Sequence, residues 1–208
     1  MAKVLFVKAN DRPADQAVSV KLYEEFLKTY KEAHPQDEVT ELDLFALNLP
    51  YYGNTTITAL YKQSQGWDLT AEEKQAADLA NGYLDQFLAA EKVVLAFPLW
   101  NFTVPAPLIT YLSYLSQAGK TFKYTAEGPV GLAGNKKVAL LTARGGVYSV
   151  PPMDSIEHAL KLVQATIGFW GITQTEEVVI EGHNADQSRS QQIIADGLKR
   201  AAEVASKF

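Results

Sequence analysis

Three segments of the chain combine residue types suited to holding a flat, phosphorylated ligand. The first loop (9–18) leads from an apolar run into a helical pattern and carries polar side chains. The start of a helix offers unpaired N–H groups and a positive dipole end, which favour a phosphate. Polar residues at a helix start also serve as simple caps, so this loop alone is a weak signal. The candidate phosphate contacts are Asn10, Gln16, Ala17, Val18 and Ser19.

The second loop (97–104) follows another apolar run and is rich in large apolar residues. Its candidate ligand contacts are Pro98, Leu99, Trp100, Asn101 and Phe102. Held by the proline, such residues form a wall for a flat heterocycle, and Asn101 offers its amide to ring nitrogen and oxygen atoms. The alternative is that Trp100 and Phe102 simply cover the core.

The third loop (142–149) contains two adjacent glycines. Gly145 and Gly146 let backbone N–H groups approach a ligand closely because they have no Cβ atom. Arg144 either places positive charge near a heterocycle carbonyl or pairs with an acid elsewhere, and a plain turn also explains the glycines. The candidate contacts here are Ala143, Arg144, Gly145 and Gly146.

Several other chemistries are excluded or disfavoured. The absence of cysteine excludes thiolate catalysis and cysteine-ligated metals. Neither a P-loop sequence nor a G-x-G-x-x-G fingerprint is present. His34, His158 and His183 are isolated and are expected at the surface or on helices, so we assign no catalytic side chain and no metal site.

Charge and hydropathy limit the partners and the location. A formal net charge of −5 argues against a general nucleic-acid binder. The apolar run at residues 3–8 is too short for a signal peptide, and no run approaches the roughly 20 residues that cross a bilayer. We therefore expect a cytoplasmic protein that contacts neither nucleic acid nor membrane.

The rest of the chain predicts the elements that position these loops. Residues 44–69 form a long excursion with one short helix at 56–64, which is either functional or an aromatic minicore under a loop. Thr70 to Glu73 is a capping box that marks a helix start. Apolar patterns predict strands at 4–7, 38–43, 93–97, 138–141 and 177–180, and helices at 18–30, 71–90, 105–115, 154–167 and 194–205.

Strands that alternate with helices predict a doubly wound α/β fold, with a five-stranded parallel sheet and helices on both faces. We predict one domain over residues 1–208. Ligands of such sheets bind beyond the carboxyl ends of the strands, where the strand order reverses. In a sheet of flavodoxin type this point lies between the first and third strands, which brings the three loops together.

The same segments resemble a known family. Residues 98–102 and 143–146 look like the FMN-contacting segments of FMN-dependent NADH-azoreductases. Residues 118–124, followed by 127–129, resemble that family as well, and so does the run from 167 to 172 that leads into 181–182. The likeness covers essentially the whole chain, and its motifs fall in the family's order.

The resemblance implies a flavodoxin-like homodimer with one non-covalently bound FMN per subunit near the interface. Such enzymes reduce quinones and azo compounds with NADH or NADPH, by ping-pong hydride transfer through flavin N5. Two rivals remain: a flavodoxin-type single-electron carrier without its own substrate turnover, and a regulatory protein that senses flavin or nicotinamide.

The resemblance also implies residue roles. Residues 98–102 would flank the isoalloxazine, and residues 143–146 would hydrogen-bond its pyrimidine side. The substrate pocket would be shaped by Phe102, Phe122 and Tyr124, together with Phe169 of the partner subunit. One departure is that many members have serines where this chain has Gln16 and Val18, which leaves the individual phosphate contacts open.

Overall fold

The computed structural model describes all residues from 1 to 208. Seven strands and six α-helices follow one another along the chain. They are β1 (Lys3–Lys8), α1 (Val18–Ala33), β2 (Glu38–Asp43), α2 (Asn54–Gln65), α3 (Ala71–Ala89), β3 (Lys92–Pro98), α4 (Ala106–Leu115), β4 (Phe122–Thr125), β5 (Gly128–Gly131), β6 (Lys137–Arg144), α5 (Ala159–Phe169), β7 (Thr175–Glu181) and α6 (Ser190–Ala205).

The main sheet has five parallel strands in the order β2-β1-β3-β6-β7. Its central strands are continuous apolar runs because both of their faces are covered. On β1, Val4 and Phe6 pack in a core cluster with α1 and α6, whereas Leu5 and Val7 pack in a cluster with α3, α4 and α5. The predicted doubly wound α/β fold is confirmed, while the single-domain assignment stays a prediction.

Most predicted elements appear near their expected positions, and the capping box at Thr70 is formed by reciprocal hydrogen bonds with Glu73. Three expectations were wrong. β6 continues through Arg144 instead of ending at Leu141. The helix expected at 154–167 is split into a short 3-10 turn (Met153–Ile156) and α5. The split follows from Glu157, whose side chain accepts the N–H groups of Ala159 and Leu160 and so starts a new helix there.

The third error concerns His183, which was expected at the surface or on a helix. It is buried in the loop after β7, and burial lowers the pKa of its imidazole. The β4–β5 hairpin was not predicted at all, because its four-residue strands pair only with each other and present no continuous buried face.

The direction of α5 decides where its two ends lie relative to the sheet. At its start, the His158 N–H donates to the Phe102 carbonyl (2.9 Å), beyond the carboxyl ends of the strands, here called the carboxyl edge. At its other end, the Trp170 carbonyl accepts from Ala133 (2.8 Å), close to where β6 begins, at the amino edge. Since α5 has 11 residues, its ends are separated by about 16 Å.

Asp37 connects three parts of the chain at the amino edge. Its Oδ1 accepts from the Ala2 N–H (2.7 Å), and its Oδ2 accepts from the Tyr30 hydroxyl (2.6 Å) and the Lys92 ammonium (3.4 Å). The hydrogen bonds from Tyr30 and Ala2, with a smaller contribution from Lys92, lower the pKa of Asp37 to about 2.

Asp37→Asn should therefore lower the free energy of unfolding at pH 7 by about 2 kcal/mol, a common value for hydrogen bonds to a charged group. A depressed carboxyl pKa stabilises the fold above the unfolded-state value of 3.8, and this contribution is lost as the pH falls toward 2. Urea unfolding at pH 7, 5 and 3 measures the difference, and Asp68→Asn, on an exposed loop, is the control. If the difference in unfolding free energy between the wild type and Asp37→Asn is as large at pH 3 as at pH 7, the Asp37 carboxylate does not stabilise the fold in this way.

No helix of the chain is long and apolar enough to cross a membrane.

Candidate functional site

The first loop ends at a helix start with unpaired donors. The N–H groups of Ala17, Val18 and Ser19 have no acceptor within the chain, and the N-cap residue Ala17 provides no side-chain cap. These donors suit an anion at the positive end of the α1 dipole.

Two of the predicted phosphate contacts are engaged with each other. The Asn10 amide donates to Ser19 Oγ (2.9 Å), and its oxygen accepts from the Arg12 N–H (2.9 Å). The buried Asn10 therefore shapes the first loop, and the Ser19 hydroxyl keeps its own proton to donate. Gln16 is exposed, and its side chain makes no hydrogen bond within the chain.

The second loop is a tight turn in an unusual backbone conformation. Trp100 and Thr103 exchange backbone hydrogen bonds of 2.8 and 3.0 Å around Asn101 and Phe102. Both central residues have positive φ, 48° and 69°, a combination that is costly for an aromatic residue without glycine. Strain of this kind concentrates at functional sites. The N–H groups of Asn101 and Phe102 have no acceptor within the chain, so the turn presents two further donors.

Three consecutive carbonyls of the third loop, those of residues 144–146, point to the same side. The Gly182 N–H donates to the carbonyls of Arg144 (3.2 Å) and Gly146 (3.1 Å). The Gly145 carbonyl accepts from the N–H groups of Asn184 (2.9 Å) and Ala185 (3.2 Å). Because C=O and N–H point in opposite directions across a trans peptide, the N–H groups that follow these carbonyls face away from residues 182–185. Those N–H groups, of Gly145, Gly146 and Val147, have no acceptor within the chain.

Arg144 does not point its charge outward. Its side chain is buried, with Nε 2.9 Å from Oε2 of Glu181 and Nη1 3.4 Å from Oε1 of Glu157. Of the two possibilities that the sequence left open, the structure shows pairing with acids. Neither acid was given a role from the sequence, because each lies outside the third loop and no spacing rule links it to Arg144.

The three loops occupy one edge of the sheet. They follow β1, β3 and β6, which are neighbours, so the first and third loops are separated by about two strand spacings, or 10 Å. The arrangement can hold a phosphate at α1 and the rim of a flat heterocycle at the other two loops. It contains no cluster of side chains that could hold a metal ion.

The aromatic residues predicted for the substrate pocket are not all brought together. Phe122 packs against Phe169 (ring centroids 4.7 Å apart) and Tyr124 (5.6 Å), which forms an aromatic cluster beside the C-terminal end of α5. This cluster is at the amino edge, about 16 Å from the loops of the same chain. Phe102 lies at the carboxyl edge, where its ring is 6.5 Å from that of Tyr148. Tyr148 is a neighbour that the sequence did not single out.

A cavity of about 740 Å³ lies at the amino edge between the starts of β6 and β7 and the end of α6. Most of its side chains are exposed, and Lys136 is already bound to the carbonyls of Leu88 and Ala90. The cavity is at the opposite edge of the sheet from the three loops.

A sequence family described as having a flavodoxin-like fold matches residues 2–205. The chain belongs to this family. The similarity to individual members is high: it is 66% identical over 208 residues to FMN-dependent NADH:quinone oxidoreductase 2 of Bacillus cereus (strain ATCC 10987 / NRS 248), covering 100% of both chains.

Two solved structures of flavodoxin-like proteins extend this comparison. The crystal structure of an azoreductase from Bacillus anthracis str. Sterne is 60% identical, covers 100% of both chains and superimposes with a TM-score of 0.98. An FMN-dependent NADH-azoreductase from Bacillus anthracis str. Ames Ancestor, in complex with FMN, is 29% identical over 100% of this chain and 99% of its own, with a TM-score of 0.89. The resemblance found in the sequence is confirmed.

Proposed function

We propose that this flavodoxin-like protein is an FMN-dependent NADH:quinone oxidoreductase that also reduces azo compounds. The observation that carries the proposal is the set of unpaired N–H groups on three neighbouring loops at the carboxyl edge. The substrate class is supported by the relatives, whose names describe FMN-dependent NADH:quinone oxidoreductases and azoreductases.

The residues present fit FMN at both of its ends. The N–H groups of residues 17–19 hold the phosphate, aided by the Ser19 hydroxyl and the nearby Gln16 amide. Residues 98–102 flank the isoalloxazine, and their turn offers two N–H groups to its rim. The N–H groups of residues 145–147 bind the pyrimidine side.

When bound, FMN would supply the redox chemistry, a two-electron hydride transfer through flavin N5 from NADH to a quinone or azo compound. The protein orients the ring and limits access to one face, so donor and acceptor use the same space in turn. No side chain is needed as a nucleophile, and water supplies the protons. A cytoplasmic location, where NADH is available, belongs to the same proposal.

We further propose that the protein acts as a homodimer. The aromatic cluster of Phe122, Tyr124 and Phe169 is too far from the loops of its own chain to cover that chain's flavin. It therefore covers the flavin of the partner subunit, together with Phe102 of the subunit that holds the cofactor. Support comes from Ile109 on α4 and Leu162 on α5, which are partly exposed apolar residues lining one groove.

The visible spectrum of the purified protein, recorded before and after anaerobic addition of NADH, tests the function. We expect oxidised-flavin peaks that bleach with NADH and recover with a quinone, and parallel lines in steady-state plots of varied NADH and quinone. If the protein itself stays colourless after incubation with excess FMN and does not oxidise NADH, the proposal is wrong. A stable blue semiquinone without NADH oxidation would favour the electron carrier instead.

Light scattering of the purified protein tests the homodimer, and we expect twice the mass of one chain.

A further inference from the structure

The third loop is closed by a single carboxylate. Oε2 of Glu181 accepts from Arg144 Nε on one side of the loop (2.9 Å) and from the Tyr148 N–H on the other (2.9 Å). Its Oε1 accepts from the hydroxyl of Ser149. The three residues between Arg144 and Tyr148 are those with unpaired N–H groups, so this carboxylate fixes both ends of the donor row.

A second carboxylate joins the same arginine to another part of the site. Glu157 lies 3.4 Å from Arg144 and also accepts the N–H groups of Ala159 (3.1 Å) and Leu160 (2.9 Å) at the start of α5. A helix start favours a negative charge. The adjacent His158 N–H donates to the Phe102 carbonyl, so Glu157 links the third loop to the turn of the second loop.

Burial makes the loss of either partner of Arg144 costly. Side-chain exposure is 6% for Arg144 and 4% for Glu157, and a buried charge that loses its partner is strongly unfavourable. Burial alone would raise the pKa of Glu181, but the hydrogen bonds from Ser149 and Tyr148 and the charge of Arg144 outweigh it and lower that pKa. Arg144 is thereby held inside the protein by its two acidic partners.

We propose that Glu181 and Glu157 are positioning residues for the flavin: through Arg144 they hold the N–H groups of residues 145–147 toward its pyrimidine side. This inference rests on the proposed function. In place of a direct contact between the Arg144 charge and the flavin, it gives an indirect role to the buried Arg144 and the two carboxylates that pair with it.

The test compares the binding of FMN with that of riboflavin, which has the same ring but no phosphate. Glu181→Gln keeps the size of the side chain and removes its charge, so we expect the dissociation constants of both flavins to rise by the same factor, about 10-fold. Glu157→Gln can still cap α5 and should give a smaller rise, about three-fold, because its distance to Arg144 is longer. Glu176→Gln, exposed on the same strand as Glu181, should change neither constant.

Flavin fluorescence measures the constants, and the visible band of the bound flavin at saturation reports the changed surroundings of its ring. Folded Glu181→Gln protein that binds both flavins as tightly as the wild type, with an unchanged band, would overturn the inference while leaving the proposed function intact. If the wild-type protein binds no flavin, the proposed function itself is wrong. If Glu181→Gln does not fold, the exposed Ser149→Ala variant takes its place, with an expected rise of about three-fold; no rise in that variant would count against the inference.

Discussion

Gln16→Glu should raise the dissociation constant for FMN about 10- to 100-fold without destabilising the fold. The Gln16 side chain is exposed and makes no hydrogen bond within the chain, so the substitution changes charge but little packing. The new carboxylate would stand just before the N-cap Ala17, beside a phosphate that carries nearly two negative charges. A unit charge pair at 4 Å interacts by about 1 kcal/mol in water and about 4 kcal/mol near a protein surface, which correspond to about 5-fold and about 900-fold in a dissociation constant. The expected rise lies between these two limits.

The melting temperature of the variant shows whether weaker FMN binding results from repulsion of the phosphate or from a general loss of structure. A carboxylate at a helix start stabilises the helix by about 0.3–1 kcal/mol, so the variant without ligand should melt at the same temperature as the wild type or slightly higher. Riboflavin should bind as before, because it has no phosphate to repel. Gln36→Glu makes the same charge change in an exposed turn before β2 and is the matched control. Equal FMN binding by the two variants would place the phosphate elsewhere.

The sequence predicts the main sheet well because its signals are local. Val4 to Val7 and Val93 to Phe97 are continuous apolar runs that only a strand covered on both faces explains. The site could be located because chemically distinctive loops follow these strands and topology brings their ends together. β6 was predicted too short because Thr142 and Arg144 are polar, and the burial of Arg144 depends on acidic partners elsewhere in the fold.

The missed features depend on contacts between distant parts of the chain. The positive φ values of Asn101 and Phe102 carry no glycine signal, and the turn is fastened by His158, more than fifty residues later. The pairing of Arg144 with Glu157 and Glu181 likewise needs three separate elements to meet. The family resemblance placed Phe169 on the partner subunit and gave no sign that, within one chain, Phe122 of the unpredicted hairpin packs against both Tyr124 and Phe169.

The position of this hairpin depends on one close approach of two backbones. A Cβ atom at Gly131 would lie 2.1 Å from the Gly171 nitrogen and 2.2 Å from the Trp170 carbonyl carbon. Both atoms belong to the backbone just after α5, so no flexible side chain can move aside. Gly131→Ala must therefore shift β5 away from α5 and separate Phe122 from Phe169.

We expect Gly131→Ala to lower kcat/KM for a quinone about 100-fold, because a displacement of about 1 Å in a positioning group can cost that much. The dissociation constant for FMN should rise by a much smaller factor, since the N–H groups that hold its phosphate and ring lie on the carboxyl-edge loops, whereas the cluster would only cover one face of the partner's flavin. Gly82→Ala is the control: it lies on α3 with nothing within 4 Å of the added Cβ, and alanine favours a helix.

The comparison of the two constants decides what the hairpin does. Loss of quinone turnover with retained FMN is expected only if the aromatic cluster covers the flavin of the partner subunit. Loss of both would mean that the close contact at Gly131 supports the fold as a whole, which thermal melting of the variant would reveal. Tyr124→Ala separates the possibilities further, because Tyr124 is 73% exposed and its loss should leave the melting temperature unchanged. If Tyr124→Ala also leaves kcat/KM for the quinone unchanged, the cluster does not line the substrate pocket, and the need for a second subunit at the flavin loses its main support.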